Sequence, residues 1–316
     1  MAQVAEQAVA DSQMARRIRA RIEQIYSTKS VKGEDDSVYS IMPAALPPER
    51  GRFLLEMCRT QHPAATLEVG LAWGLSTLHI FQALAENGVA APHHVIMDPF
   101  QSSVFHNAAL RELRELGLER SAEFYPQPSG LVLPRLVGEG RQFDLAFIDG
   151  DHRFESVFVD LFYVDQLLKP GGVVVFDDMS WDGVYLACRF AQTNYGYETI
   201  AELAKPRDGS GSAATGRPLM RACRKPVQPV ERDESHFVSF FDDFTSNQFG
   251  PRLTASTLRY EGLLALREGR RAEARRCFRQ ALRIDRWHVK TYLRLIRTYL
   301  PPALIRATTG RTKAPS

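Results

Sequence analysis

Apolar positions along the chain fall into short runs separated by stripes at helical spacing. Residues 65–69, 94–97, 143–148 and 173–176 are short apolar-rich runs, the last an unbroken Val-Val-Val-Phe. Runs this short and this rich in β-branched residues predict strands buried on both faces. Between them the apolar positions step at three and four, as in Leu78, Ile80, Phe81 and Leu84, and again over 108–116, 131–136 and 157–168, which predicts helices. Residues 123–125 add a strand, and 199–200 and 219–223, on either side of a Gly/Ser stretch at 208–216, supply two closing strands. Lys169-Pro170-Gly171-Gly172 predicts a turn between helix and strand. Alternation of this kind predicts an α/β fold: a Rossmann-like, doubly wound, mostly parallel seven-stranded sheet with helices on both faces.

The flanks follow other patterns. Residues 1–27 suit an amphipathic helix with Ile18, Ile22 and Ile25 as its stripe, and 33–40 read as a polar loop. Pro47 and Pro48 suit the first turn of a helix running to about Thr60, where a missing donor costs little. Near the other end, Gly262, Gly269, Ala274, Phe278 and Ala281 fall at positions 8, 15, 20, 24 and 27 of a 34-residue unit, a spacing that resembles a tetratricopeptide repeat. Arg286 stands where that repeat has proline, and 288–300 would be the next helix. One repeat does not make a solenoid, so a small all-helical extension packing on the main domain or on another chain is expected. The expected organisation is an N-terminal helical segment or lid at 1–60, a central domain at 61–225 and a basic helical tail at 226–316.

Composition narrows the class. With 44% apolar residues, the 316-residue chain can build a sizeable core, and no run approaches the ~20 apolar residues of a membrane span. The start, Met-Ala-Gln-Val-Ala-Glu, has no apolar signal core. Four cysteines, Cys58, Cys188, Cys223 and Cys277, lie far apart without a C-x-x-C. That suits buried thiols in a reducing compartment, so a cytoplasmic location is expected. The net charge of +3 is unevenly placed: residues 251–316 hold 16 Lys/Arg against 4 Asp/Glu, so the first 250 carry a net −9. Such a step suggests two units with different surfaces.

The informative stretch is Glu68-Val69-Gly70-Leu71-Ala72-Trp73-Gly74-Leu75-Ser76, where a strand runs through a glycine loop into a helix. Gly70 permits a turn closed to most residues, Gly74 permits close backbone approach to a ligand, and the helix start offers free amide donors. This is the shape that holds a nucleoside. The loop lacks the G-x-G turn of dinucleotide sites. In open parallel sheets ligands bind beyond the carboxyl ends of the strands, and here those ends carry Glu68, Asp98, Asp149 and the pair Asp177-Asp178. Five carboxylates on one rim repel unless something cationic sits among them.

The loop resembles motif I of the class I S-adenosylmethionine-dependent methyltransferases. Together with Phe147-Ile148-Asp149-Gly150-Asp151-His152 and Gly171-Gly172-Val173-Val174-Val175-Phe176-Asp177-Asp178, it looks like the cation-dependent O-methyltransferases of the catechol, caffeoyl-CoA and macrocin types. The likeness covers about residues 38–225. It implies a cofactor site made by Glu68, Gly70, Gly74, Ser76, Asp98, Ser129 and Asp149, with Asp98 on the ribose hydroxyls and Ser129 at the adenine. It implies a divalent cation, Mg²⁺ first, on Asp149, Asp177 and Asp178, with hard oxygen ligands of the right kind. Asp178 departs from the plant and animal pattern, which has asparagine. His152 matches a histidine thought to be the general base in the macrocin type, and Asp149 would share the catalytic role. The segment around Pro47-Pro48-Glu49-Arg50-Gly51 resembles one that covers the cofactor, and Trp73, Phe100 and Trp181 are candidates for the pocket wall.

The expected function is methyl transfer from S-adenosylmethionine to a small hydroxylated molecule such as a sugar, polysaccharide precursor or natural product. Two alternatives stay open. One keeps the cofactor without the cation, with His152 or Asp151 as base. The other is a degenerate cofactor fold acting as a scaffold, its tail recruiting a protein partner or a second copy. Nucleic acid is not an expected partner: the tail lacks an aromatic stacking array, and Ile-Asp-Gly-Asp-His replaces the Asn/Asp-Pro-Pro-aromatic of nucleic-acid amino methyltransferases.

Overall fold

A computed structural model describes residues 2–204, 217–228, 230 and most of 258–299. Two compact units divide the chain, Met1–Arg232 and Asp233–Ser316. Residues 1–60, expected as a separate segment, fall within the first unit.

The first unit begins with α1 (Ala2–Thr28), whose Ile18, Ile22 and Ile25 are buried at 4% exposure or less. The stripe packs α1 against α3. The polar stretch expected as loop instead closes a hairpin, β1 (Ser30–Lys32) with β2 (Val38–Ser40). Burial of Val31 and stacking of Tyr39 on His106, centroids 3.8 Å apart, hold it against the body. Next comes α2 (Pro48–Gln61), with Pro48 in the tolerated first turn and His62 in the left-handed conformation at its end.

Strands and helices then alternate: β3 (Ala65–Val69), α3 (Leu75–Glu86), β4 (His93–Met97), α4 (Ala108–Leu116), β5 (Ala122–Tyr125), α5 (Ser129–Gly138), β6 (Phe143–Ile148), α6 (Phe154–Leu167), β7 (Leu168–Phe176), α7 (Asp182–Tyr195), β8 (Glu198–Leu203) and β9 (Met220–Arg224). The sheet order is β5-β4-β3-β6-β7-β9-β8, with β9 antiparallel to both neighbours and the β5-to-β7 ladders parallel. This is the expected doubly wound seven-stranded sheet. Period-two alternation divides the central strands. Leu145, Phe147, Val173 and Val175 join the core built with α1 to α4, which leaves Ala146, Ile148, Val174 and Phe176 for the face of α5, α6 and α7. The turn expected at residues 169–172 is absorbed into β7 as a bulge: Phe143 pairs with Leu168, Leu145 already with Val173, and Gly171 takes φ 78°. All four cysteines are buried thiols.

In the second unit α8 (Arg271–Ile284) and α9 (Val289–Arg297) pack together. Ala274, Phe278 and Ala281 are buried, and a Cβ on Gly262 would meet the Phe278 ring at 2.6 Å. Parts of the expected helices, including Trp287, His288 and Leu300, lie outside the described residues.

Candidate active site

The five strand-end carboxylates are neutralised in two different ways. Glu68 points into the body, fully buried. Its carboxylate accepts hydrogen bonds from Ser76 Oγ, from Thr77 Oγ1 at 2.5 Å and from His94 Nε2 at 2.8 Å. Thr66 Oγ1 steadies His94 from behind at 2.8 Å. Glu68 and Ser76 were expected to touch the cofactor; the structure ties them to each other beneath the loop, since a buried charge must be hydrogen-bonded where it stands.

Asp98, 4% exposed, is turned onto the glycine loop. Its Oδ2 accepts from the Leu71 amide at 3.1 Å, the Ala72 amide at 2.9 Å and Gln101 Nε2 at 3.1 Å, and Oδ1 from the Phe100 amide at 2.7 Å. These bonds hold Ala72 in the left-handed region, φ 44°, a conformation a residue with a Cβ seldom takes. Ribose hydroxyls would have to share this carboxylate with the loop. Gly70, at φ 93°, has no room for a side chain, because a Cβ would lie 2.2 Å from the Asp149 carbonyl oxygen. At Gly74 a Cβ would lie 2.9 Å from that of Ala109, so the absent side chain also admits α4. No side chain caps the start of α3, whose amides remain available beside the loop.

Two buried polar atoms bordering this loop, Trp73 Nε1 and Gln101 Oε1, have no hydrogen-bond partner. A polar ligand could satisfy them, so the cradle fits a nucleoside. Ser129 opens α5 and hydrogen-bonds Asp160 of α6, a carboxyl 2% exposed that burial pushes up to about 6. Asp160 Oδ1 is also unpartnered.

The other three carboxylates gather around two cations of the chain. Arg50 of α2 reaches across so that Nη1 donates to Asp177 Oδ1 at 2.8 Å and Asp178 Oδ1 at 2.7 Å. His152 Nε2 lies 2.9 Å from Asp178 Oδ2 and 4.0 Å from Asp149 Oδ1, close enough for ion pairing though not aligned as a hydrogen bond. Its ring stacks on Trp181, centroids 5.3 Å apart. Asp149 and Asp178 together pull the imidazole up to about 10. Burial pushes Asp149 up to about 6 against the opposing pull of His152. Burial, reinforced by Asp149, pushes Asp177 upward. Burial would raise Asp178 too, but His152 and Arg50 hold it below the ordinary carboxylate range.

Ligand atoms of Asp149, His152 and Asp178 lie within 4.8 Å of one another. Of the expected metal set, Asp149 and Asp178 meet here with His152, while Asp177, 2% exposed, is held by Arg50. Of the three aromatic candidates, Trp73 is 7% exposed and edge-on to Phe105, whereas Phe100 and Trp181 are each 56% exposed. Arg50 was missed. Its partners lie 127 and 128 residues away, and nothing local marks it. His94 had a readable signal, a polar residue within an apolar buried strand.

A family model described as a methyltransferase domain matches residues 67–179, from β3 through the end of β7. The caffeoyl-CoA O-methyltransferase of Populus kitakamiensis is 25% identical over 178 residues, covering 51% of this chain and 70% of that protein. The catechol O-methyltransferase of Niastella koreensis is 30% identical over 148 residues, covering 46% and 63%. The chain thus spans between about half and seven tenths of the curated relatives it matches, as the 54% of the Stellaria longipes caffeoyl-CoA enzyme shows at the lower end. Among solved structures, the O-methyltransferase from Bacillus cereus in complex with SAH is similar with a TM-score of 0.46 and 16% identity, over 67% of this chain and 91% of that one. The chain is thus similar to a methyltransferase domain over residues 67–179 and to these O-methyltransferases over the stretches they share.

Proposed function

We propose that the chain moves the methyl group of S-adenosylmethionine to a hydroxyl of a small molecule: a sugar, a polysaccharide precursor or a natural product. The observation that carries this reading is the meeting of Asp149, His152 and Asp178 at strand ends adjoining the glycine loop. In this reading Gly70, Gly74 and the α3 amides cradle the donor, Asp98 and Ser129 lie toward its ribose and adenine, and Glu68 and Ser76 brace the loop from beneath. Asp149 and Asp178, with Asp177 behind them, supply hard oxygen donors of the kind that suits a divalent ion such as Mg²⁺, which leaves His152 as the base. When bound, such an ion lowers the pKa of an acceptor hydroxyl.

Asp149 and Asp178 concentrate negative charge where the sulfonium and any metal would sit. Arg50 offsets part of that charge. His152 is the group placed to take the hydroxyl proton. As the structure stands, its two carboxylate neighbours keep it protonated at neutral pH, so the alternative in which it acts alone as base requires that proton to leave first. The tail is read as a tetratricopeptide-like helix pair for a protein partner or second copy, and the chain as working in the cytoplasm.

The test is calorimetric titration of S-adenosylmethionine with and without Mg²⁺, alongside S-adenosylhomocysteine release over a panel of sugars and catechols. Cofactor binding with Mg²⁺-dependent turnover is expected. Turnover undiminished in excess chelator removes the metal, and absence of cofactor binding leaves the scaffold reading.

A further inference from the structure

Methyl transfer has no use for the cavity in the second unit. It is an open cleft of about 460 Å³, lined by Ala272, Arg275, Arg276, Arg279, Gln280 and Arg283 of α8, and by Tyr299 beyond α9. Four arginines line it and, among the described residues, no carboxylate does. Arg275, Arg279 and Arg283 recur every four residues, which sets them on one helix face over about 12 Å.

Elsewhere arginines find acids. Arg21, Arg50, Arg59, Arg111, Arg141 and Arg221 each sit on a carboxylate within the first unit. On α8 the single acid, Glu273, is taken by Arg270, and α9 has no acid at all. Among the described residues none of the four cavity arginines pairs with a carboxylate. Consecutive like charges along one face repel, so the helix gains from an anion that bridges them.

We propose that this cavity binds a small molecule carrying a diphosphate or a longer phosphate chain. Guanidinium forks match phosphate oxygens two at a time. Arginines spread over about 12 Å exceed the reach of one phosphate group, which favours linked ones. The volume lies in the range of small-molecule sites. A nucleic-acid strand fits less well: Arg275 and Arg279 lie over the Tyr299 ring, 5.0 and 6.0 Å from its centroid, and Arg279 donates to its hydroxyl. The ring is thereby committed to cations rather than open to a stacked base.

The proposal is tested on the full chain by calorimetry with inorganic pyrophosphate and tripolyphosphate at constant ionic strength. One site per chain is expected, with tripolyphosphate the tighter ligand. The triple variant R275Q/R279Q/R283Q should bind at least about tenfold more weakly, because charge-assisted bonds are lost. R17Q/R19Q/R120Q, which removes three exposed arginines from the first unit, should bind as the parent does. If far-UV circular dichroism shows the glutamine triple misfolded, R275K/R279K/R283K takes its place and should bind severalfold more weakly, since lysine keeps the charge without the fork. No binding by the parent chain, equal losses in the two glutamine triples, undiminished binding by the lysine triple, or tighter binding of a charge-matched oligonucleotide would each overturn it.

Discussion

Replacing Gly51 by alanine links the N-terminal helices to the acidic cluster. A Cβ at Gly51 would lie 2.2 Å from His79 Nε2, 2.4 Å from its Cδ2 and 2.9 Å from Tyr26 Oη. Carbon contacts settle at ~3.5–4.0 Å, so the methyl needs more than about 1 Å of clearance. His79 cannot swing aside, being 4% exposed and 3.3 Å from the Tyr26 hydroxyl. The helix α2 must lift instead. Alanine in a helix gains about 1 kcal/mol over glycine, and overpacking a filled core costs about 1–3 kcal/mol. A net loss of up to about 2 kcal/mol is therefore expected, read as a lower urea midpoint at unchanged slope. Gly138→Ala, at the end of α5 with no atom within 4 Å of its Cβ position, is the control and should lose nothing. Arg50 is the preceding residue, and its bonds to Asp177 and Asp178 have little slack at 2.8 and 2.7 Å. A shift near 1 Å should cost turnover by up to about a hundredfold under conditions where the variant is folded. A Gly51→Ala chain as stable and as active as the Gly138→Ala control would refute the reasoning.

Four further outcomes follow from the same geometry. Burial, aided by Arg52 and Arg59, depresses the folded His79 pKa to about 4. The unfolded chain therefore binds the extra proton first, and stability that is complete above about pH 6.5 falls by up to about 3 kcal/mol as pH drops toward 4; His79→Gln should flatten that slope in urea midpoints, and parallel slopes would count against it. Gly70→Ala, which drives a Cβ into the Asp149 carbonyl at φ 93°, should cost more than about 2 kcal/mol and abolish calorimetric cofactor binding; wild-type titrations would contradict this. Glu68→Ala strips the acceptor from Ser76, Thr77 and His94 and should cost about 3–5 kcal/mol in denaturant melts; a loss under 1 kcal/mol would mean that the network is dispensable. Asp149→Ala and Asp178→Ala should each lower methyl transfer at least about a hundredfold while weakening cofactor binding less, and retained turnover would exclude the cluster from the reaction.

The strands and the glycine loop were legible because their signals are local. Short apolar-rich runs mark β3, β4, β6 and β7, and the loop is a spacing of residues. Antiparallel β9 and the bulge at residues 169–172 were not legible, because pairing direction and register depend on neighbours remote in sequence. For the site, sequence located every acid at a strand end but not where each one faces. Glu68 turns inward because Ser76, Thr77 and His94 meet it there, and Asp98 turns to the Leu71 and Ala72 amides. Arg50 escaped for the complementary reason: its role exists only once α2 is laid over the end of β7.

The nesting of Gly70 against the Asp149 carbonyl makes the loop and the acid a single rigid piece. Under the proposed function, the separation between methyl donor and acceptor anchor would then be fixed when the chain folds. Discrimination among acceptors would fall to exposed side chains near the cluster, such as Phe100 and Trp181. Exchanging those two aromatics should alter which hydroxyl is chosen without disturbing the spacing behind them.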